Sequence, residues 1–295
     1  MPQKKQKKDQ FVIAYLTNLA ETHTVVSHAA FFAQRLSKGL ILLHVSDPRY
    51  TKVSPPEAEK ALVEICSAPE LRNCHVSYAA LRGNTKQLLS SLPTLMNAVL
   101  VVAQVVAKAP FKSPANRRNL LRDFADCRAA FLTVQKPLGM PSTQQTTLNS
   151  QPSTLNYKNV AMVVDFKKES KDKFIWSTYF PRFIRSSMHV LYLDYKDQFL
   201  YSRWYANMQQ LHKLYTSLDI CFQPHVIGSN STFPDTDALR FANDQGYSLL
   251  ISVTTKERDT LELLIGTQEL RTISNSYQIP ILYLNPREDL YVLCD

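Results

Sequence analysis

No stretch of this chain stays apolar for the 18 or so residues that a membrane-crossing helix needs, which excludes a helical span. The lysine-rich start, Met1–Gln10, leads into the polar-interrupted Phe11–Ala20 and not into the unbroken apolar core of a secretion signal. A cytoplasmic location is expected. Cysteine is sparse and odd in number: Cys66, Cys74, Cys127, Cys221 and Cys294 show neither C-x-x-C spacing nor a flanking histidine pair. That pattern excludes a disulfide framework and a zinc ribbon and fits reduced, structural thiols. The histidines stand singly, and His44 and His189 fall inside strand-like runs, where a hydrogen-bonded core histidine is expected and not a metal ligand or base. Catalytic signatures are also missing. There is no G-x-S-x-G elbow, no H-E-x-x-H and no G-x-x-x-x-G-K-[ST] loop, so the expected protein is not an enzyme.

Charge is distributed unevenly. Residues 1–150 hold 19 Lys+Arg against 9 Asp+Glu, whereas residues 151–295 hold 15 against 16. Part of the basic excess is the tail with Lys4, Lys5, Lys7 and Lys8, and the rest belongs to the first half proper. No recognition motif accompanies the charge, so nucleic acid is not an expected partner, and neither is a membrane.

What the chain does contain is one pattern written twice. Apolar runs at Phe11–Leu16, Leu40–Val45, Val99–Val106 and Ala129–Val134 return as Val160–Val164, His189–Leu193, Leu249–Val253 and Pro280–Leu284, shifted by about 149 residues. Between them lie helix-period stretches: Glu21–Ser37, a helix capped by Ser54-Pro55-Pro56-Glu57, Thr85–Met96 and one opening at Ser113-Pro114. The second half offers Lys171–Ser187, Gln198–Leu218, Asp235–Gln245 and Thr260–Tyr277, with further strands at Cys74–Leu81 and Ile220–Ile227. Strand–helix alternation of this kind predicts α/β architecture: two tandem doubly wound domains, each with five parallel strands between helix layers. The expected layout is a basic tail at 1–10, a first domain at 11–135, a Pro-, Ser-, Thr- and Gln-rich linker at 136–158 and a second domain at 159–295.

Two repeats carrying Leu40-Ile41-Leu42-Leu43-His44-Val45 and Ile279-Pro280-Ile281-Leu282-Tyr283-Leu284 resemble a tandem universal stress protein. The resemblance implies a Rossmann-like fold and a non-enzymatic stress-response or regulatory role. It also implies pairing of the repeats in a pseudo-twofold unit through their terminal strands, with a homo-oligomer as a further assembly. Nucleotide-binding members end the first strand with Asp and follow the fourth with G-x-x-G-x(9)-G-[S/T], whose glycines let backbone amides close on phosphate. Asp165 matches the first element, and Gly266-Thr267 matches the last. Lys256 and Val253 stand where the other glycines belong, Asp259 and Glu262 form a capping-box pattern at the helix start after the fourth strand, and in the first repeat Thr17 replaces the Asp. The implied nucleotide site, Asp165, Gly266 and Thr267, is therefore degenerate, and no cofactor is expected. ATP or AMP is what the family would offer.

The alternative function is a small-molecule sensor holding an anion or adenine nucleotide in one domain. The residues for it are Lys112, Ser113, Arg117 and Arg118, around the helix start at Pro114 with Lys108 and Arg122 nearby. Arg117 and Arg118 are about 100° apart around a helix, so only one can face a given ligand. A solvated basic face is the competing reading of the same residues.

Overall fold

The computed structural model describes residues 9–105, 115–135, 155–167, 171–229, 231, 233–255 and 267–286. Strands and helices alternate as β1 (Phe11–Tyr15), α1 (His23–Leu36), β2 (Gly39–Ser46), α2 (Pro55–Ile65), β3 (Val76–Arg82), α3 (Thr85–Leu95), β4 (Ala98–Val105), α4 (Ala115–Phe124) and β5 (Ala130–Gln135). The series continues with β6 (Asn159–Val163), α5 (Asp172–Ser177), β7 (Ser187–Leu193), α6 (Gln198–Ser217), β8 (Phe222–Gly228), α7 (Pro234–Asp244), β9 (Leu249–Val253), α8 (Gln268–Thr272) and β10 (Ile281–Leu284). By internal contacts the chain divides into two units. The first runs to Gln104 and includes Arg122–Leu132; the second takes Val105–Leu121 and everything from Thr133.

In the first unit the strand order is β3-β2-β1-β4-β5. β1 pairs in parallel with β2 and β4, and β2 with β3. Val12, Ile13 and Ala14 of β1 and Leu40, Leu42 and Leu43 of β2 are fully buried, as strands covered on both faces must be. Helix α1 presents Val25, Val26, Ala29, Ala30, Phe32, Ala33 and Leu36 as its buried stripe and ends at Ser37 in the left-handed conformation. The start signal before α2 operates as its residues dictate: Glu57 accepts from both the amide and the hydroxyl of Ser54, at 2.9 and 2.7 Å. Gly39 opens β2 directly under Phe11, where a Cβ would lie 2.6 Å from the ring.

The second unit follows the same winding, β8-β7-β6-β9-β10, with β6 parallel to β7 and β9, β7 parallel to β8 and β9 parallel to β10. Five strands per half is the sequence expectation. Here the second unit also counts Thr133–Gln135, the end of β5, which lies beside β10, and the Thr133 hydroxyl donates to the carbonyl of Ile281 at 3.2 Å. β8 is the outermost strand and carries Pro224 opposite Val190.

Two expected helices are corrected. Lys171–Ser187 is not one helix: α5 ends at Ser177, a π-helical turn spans Phe180–Ile184, and Arg185 at φ 63° terminates it before β7. Pro181 has no N–H to return to Ser177, and the hydroxyls of Ser177 and Thr178 bond back to the carbonyls of Phe174 and Ile175, both at 2.7 Å, so the α ladder breaks there. Thr260–Tyr277 is helical only at Gln268–Thr272 within its described part. Asn275 stops it by bonding the carbonyls of Thr272 and Ile279 through Nδ2, at 3.3 and 2.9 Å, and accepting from the Ile279 amide at 3.0 Å.

Candidate functional site

Doubly wound sheets bind ligands beyond the carboxyl ends of their strands, near the point where winding reverses. That point lies between β1 and β4 in the first unit and between β6 and β9 in the second.

Just beyond β2 of the first unit, Asp47 is 2% exposed. Its carboxylate accepts from Arg49 through Nε at 2.9 Å and Nη2 at 2.5 Å, and from the backbone N–H of Thr85, the first residue of α3, at 2.8 Å. These bonds, the guanidinium first, hold the carboxyl well below the ordinary carboxylate range. Arg49 also donates to Asn84 Oδ1 at 3.2 Å and lies over the ring of Tyr50, 4.9 Å from its centroid. The Tyr50 hydroxyl accepts from Arg122 Nη2 at 2.8 Å, and Nε of the same guanidinium lies 3.7 Å from Oδ1 of Asp123. Asp123 is 3% exposed, its Oδ1 has no hydrogen bond, and burial raises its affinity for a proton against the pull of Tyr50 and both arginines. The helix dipole and amides at the start of α3 are thus already answered by the protein's own carboxylate.

The second unit solves the same problem with different residues. The Glu269 carboxylate, in the first turn of α8, accepts the backbone N–H of Thr255 just beyond β9, while its Oε2 is buried without a hydrogen bond. Asp235, in the first turn of α7, takes the hydroxyl of Ser252 on β9, and its own amide donates to Gln268 Oε1 at 3.1 Å. Full burial pushes the Asp235 carboxyl upward, with the buried Lys173 opposing most strongly and Asp165 and Glu269 reinforcing. Tyr283 and Thr272 close the floor through hydroxyls 2.8 Å apart. Among the described residues the mouth of β6 and β9 thus holds the carboxylates of Asp235 and Glu269 with the buried Lys173 beside them.

Asp165 stands just past β6, as the sequence places it, but its Oδ1 accepts from the Lys167 amide at 3.1 Å and its carbonyl from Asn207 Nδ2 at 2.9 Å. Thr267 caps α8 without a side-chain bond and is 5% exposed. Gly266, Lys112, Ser113 and the capping pattern at Asp259 and Glu262 lie outside the described residues, as do the side chains of Arg117 and Arg118 on α4. His44 is a core residue on Leu16, its Nδ1 2.7 Å from that carbonyl. Sequence reasoning passed over Asp47, Tyr50, Asp123, Asp235, Lys173 and Glu269. The one readable hint was Asp47-Pro48-Arg49-Tyr50 immediately after a buried strand. Among the described residues no three His, Cys, Asp or Glu side chains gather to hold a metal, and no helix is long and apolar enough to cross a membrane.

No known family profile matches the chain, and no curated protein matches it either. Solved structures do. A universal stress protein from Archaeoglobus fulgidus is similar over 95% of this chain and 97% of its own, at 10% identity and TM-score 0.64. A structure described as a universal stress protein of Pseudomonas aeruginosa matches over 97% and 96%, at 15% identity and TM-score 0.62. The cytoplasmic domain of a prokaryotic cation chloride cotransporter matches over 97% and 99%, at 12% identity and TM-score 0.51. At these identities the likeness establishes the fold, an α/β Rossmann-like arrangement of the kind found in universal stress proteins.

Proposed function

We propose that this chain is a non-enzymatic regulatory protein of the universal stress type, made of two tandem repeats whose nucleotide site has degenerated. The observation that carries the reading is Glu269 on the Thr255 amide. In a working cradle the amides after the fourth strand face phosphate; here a carboxylate of the same chain takes one of them, with Asp235 buried close behind. The repeats, on this reading, pair through their terminal strands in a pseudo-twofold unit that works in the cytoplasm, and a homo-oligomer is a natural extension. Calorimetry of the full chain with Mg-ATP and AMP tests it. Binding should be weaker than about 100 μM, roughly −5.5 kcal/mol. A dissociation constant near micromolar that Asp165→Ala abolishes would overturn the reading.

A second reading, an anion or adenine-nucleotide sensor in one unit, is favoured by Arg49 and Arg122, whose side chains keep 41% and 52% exposure beside Tyr50. The sequence offers Lys112, Ser113, Arg117 and Arg118 separately for the same role. Titrating phosphate while following backbone signals at residues 113–122 decides it, since shifts absent there leave these cations as a solvated face.

A further inference from the structure

At the opposite end of the second unit's strands, away from the site above, two histidines meet. His189 lies near the start of β7 and His225 on β8, the outermost strand. His189 Nδ1 is 3.2 Å from His225 Nε2. On its other side His189 Nε2 is 3.4 Å from Oδ1 of Asn159, the first residue of β6. An amide oxygen only accepts, so Nε2 of His189 carries the hydrogen and Nδ1 offers a lone pair. His225 Nε2–H is then the donor between the rings. Tyr247 stacks on His189 with centroids 4.1 Å apart and brings its hydroxyl to 3.4 Å from His225 Nε2. Phe241 of α7 packs against His225 and Tyr247, at 5.6 and 6.1 Å. His189 is 6% exposed and Tyr247 8%.

We propose that His189 and His225 form an acid-sensitive clasp, which ties edge strand β8 and the end of α7 to the body of the second unit at neutral pH and releases them on acidification. The ring-to-ring bond requires one lone pair. Once both imidazoles are protonated, two N–H groups face each other 3.2 Å apart, each ring carries a positive charge, and no bond remains. Among the described residues no carboxylate bonds either ring. The groups facing His189 are Asn159 from β6, His225 from β8 and Tyr247 from the turn before β9, and Phe241 of α7 adds an apolar ring beyond them. Burial first, and then the charge of His225, disfavour protonation of His189. On α7 Arg240 is already occupied by Asp237, at 2.8 Å. The clasp needs no nucleotide and stands whether or not the degenerate-site reading does.

The test is amide hydrogen exchange of the full chain, corrected for intrinsic rates and run with chelator, from about pH 7.5 to about pH 5, where histidine changes charge. In the unsubstituted protein, protection of residues 222–228 should fall by about tenfold, the equivalent of one pKa unit. His225→Phe keeps a ring against Tyr247 and Phe241 but cannot titrate, so its profile should stay flat. Flat protection in the unsubstituted protein, or an equal fall in His225→Phe, overturns the proposal. Should that variant not fold, imidazole nitrogen signals of the unsubstituted protein decide. The clasp requires two coupled titrations with the first proton shared by the pair, and two independent curves near the ordinary value of 6.5 would refute it.

Discussion

Arg122 donates from Nη2 to the phenolic oxygen of Tyr50 at 2.8 Å, and Nε of the same guanidinium lies 3.7 Å from Oδ1 of the buried Asp123. One cation thereby answers a phenol and a carboxylate at once, joining the turn after β2 to α4. Arg122→Leu keeps an apolar stem but takes that cation away from Asp123. We expect a loss of about 1–3 kcal/mol in urea unfolding at neutral pH, the usual cost of an orphaned buried polar group. Arg122→Leu combined with Asp123→Asn should recover most of it, because the carboxylate that lost its partner is gone.

Asp47 gives the clearest pH signature of the first unit. Its carboxyl is held low, chiefly by Arg49, so the stability it contributes is complete above its ordinary value of 3.8 and drains away as pH falls below that. Asp47→Ala should cost about 1–3 kcal/mol at pH 7, since it leaves the buried Thr85 amide unpaired and takes the anion from a half-exposed Arg49. The difference from the unsubstituted protein should shrink steadily under acid, as measured by denaturant midpoints. A variant deficit that persists unchanged below pH 3 would show that packing, not the carboxylate, carries the effect.

Asp235 runs the opposite way. Burial raises its carboxyl above the ordinary value of 3.8, so the folded state holds the proton more tightly and stability increases as pH falls through the raised value. Asp235→Asn should therefore be neutral or stabilising, by up to about 1 kcal/mol at pH 7, and should flatten the profile on the acid side. Differential scanning calorimetry across that range reads both effects.

Gly39→Ala places a Cβ 2.6 Å from the Phe11 ring at the point where β1 and β2 begin to pair. The backbone there is ordinary, so the penalty is steric, about 1–3 kcal/mol. Phe11→Leu should relieve it in the double variant, and simple additivity of the two single costs would argue against the clash.

The winding was legible because it rests on apolar periodicity: strands buried on both faces read as unbroken apolar runs wherever they occur. Element ends set by local bonds were legible too, as with Ser54 and Glu57 before α2. What escaped were features decided by one side chain acting on a distant backbone group. Glu269 sits 14 residues from the Thr255 amide it occupies, and Asp47 sits 38 from that of Thr85. No periodicity registers such pairs. The break at Pro181 was visible as a residue, but the hydroxyl back-bonds that end α5 leave no trace in a pattern of apolar positions.

Pro224 in β8 bears on how this protein avoids sticking to itself. An outermost strand is a template for recruitment, because its unpaired amides invite another chain to extend the sheet, and the same invitation is the seed of fibrils. A proline in the middle of that border removes one amide and holds its φ fixed, so an arriving strand meets a gap in the ladder it would need. At this edge the ladder is interrupted by a single ring. Replacing it with valine, the residue strands prefer, would supply the missing donor and turn a sheet that stops into one that can polymerise.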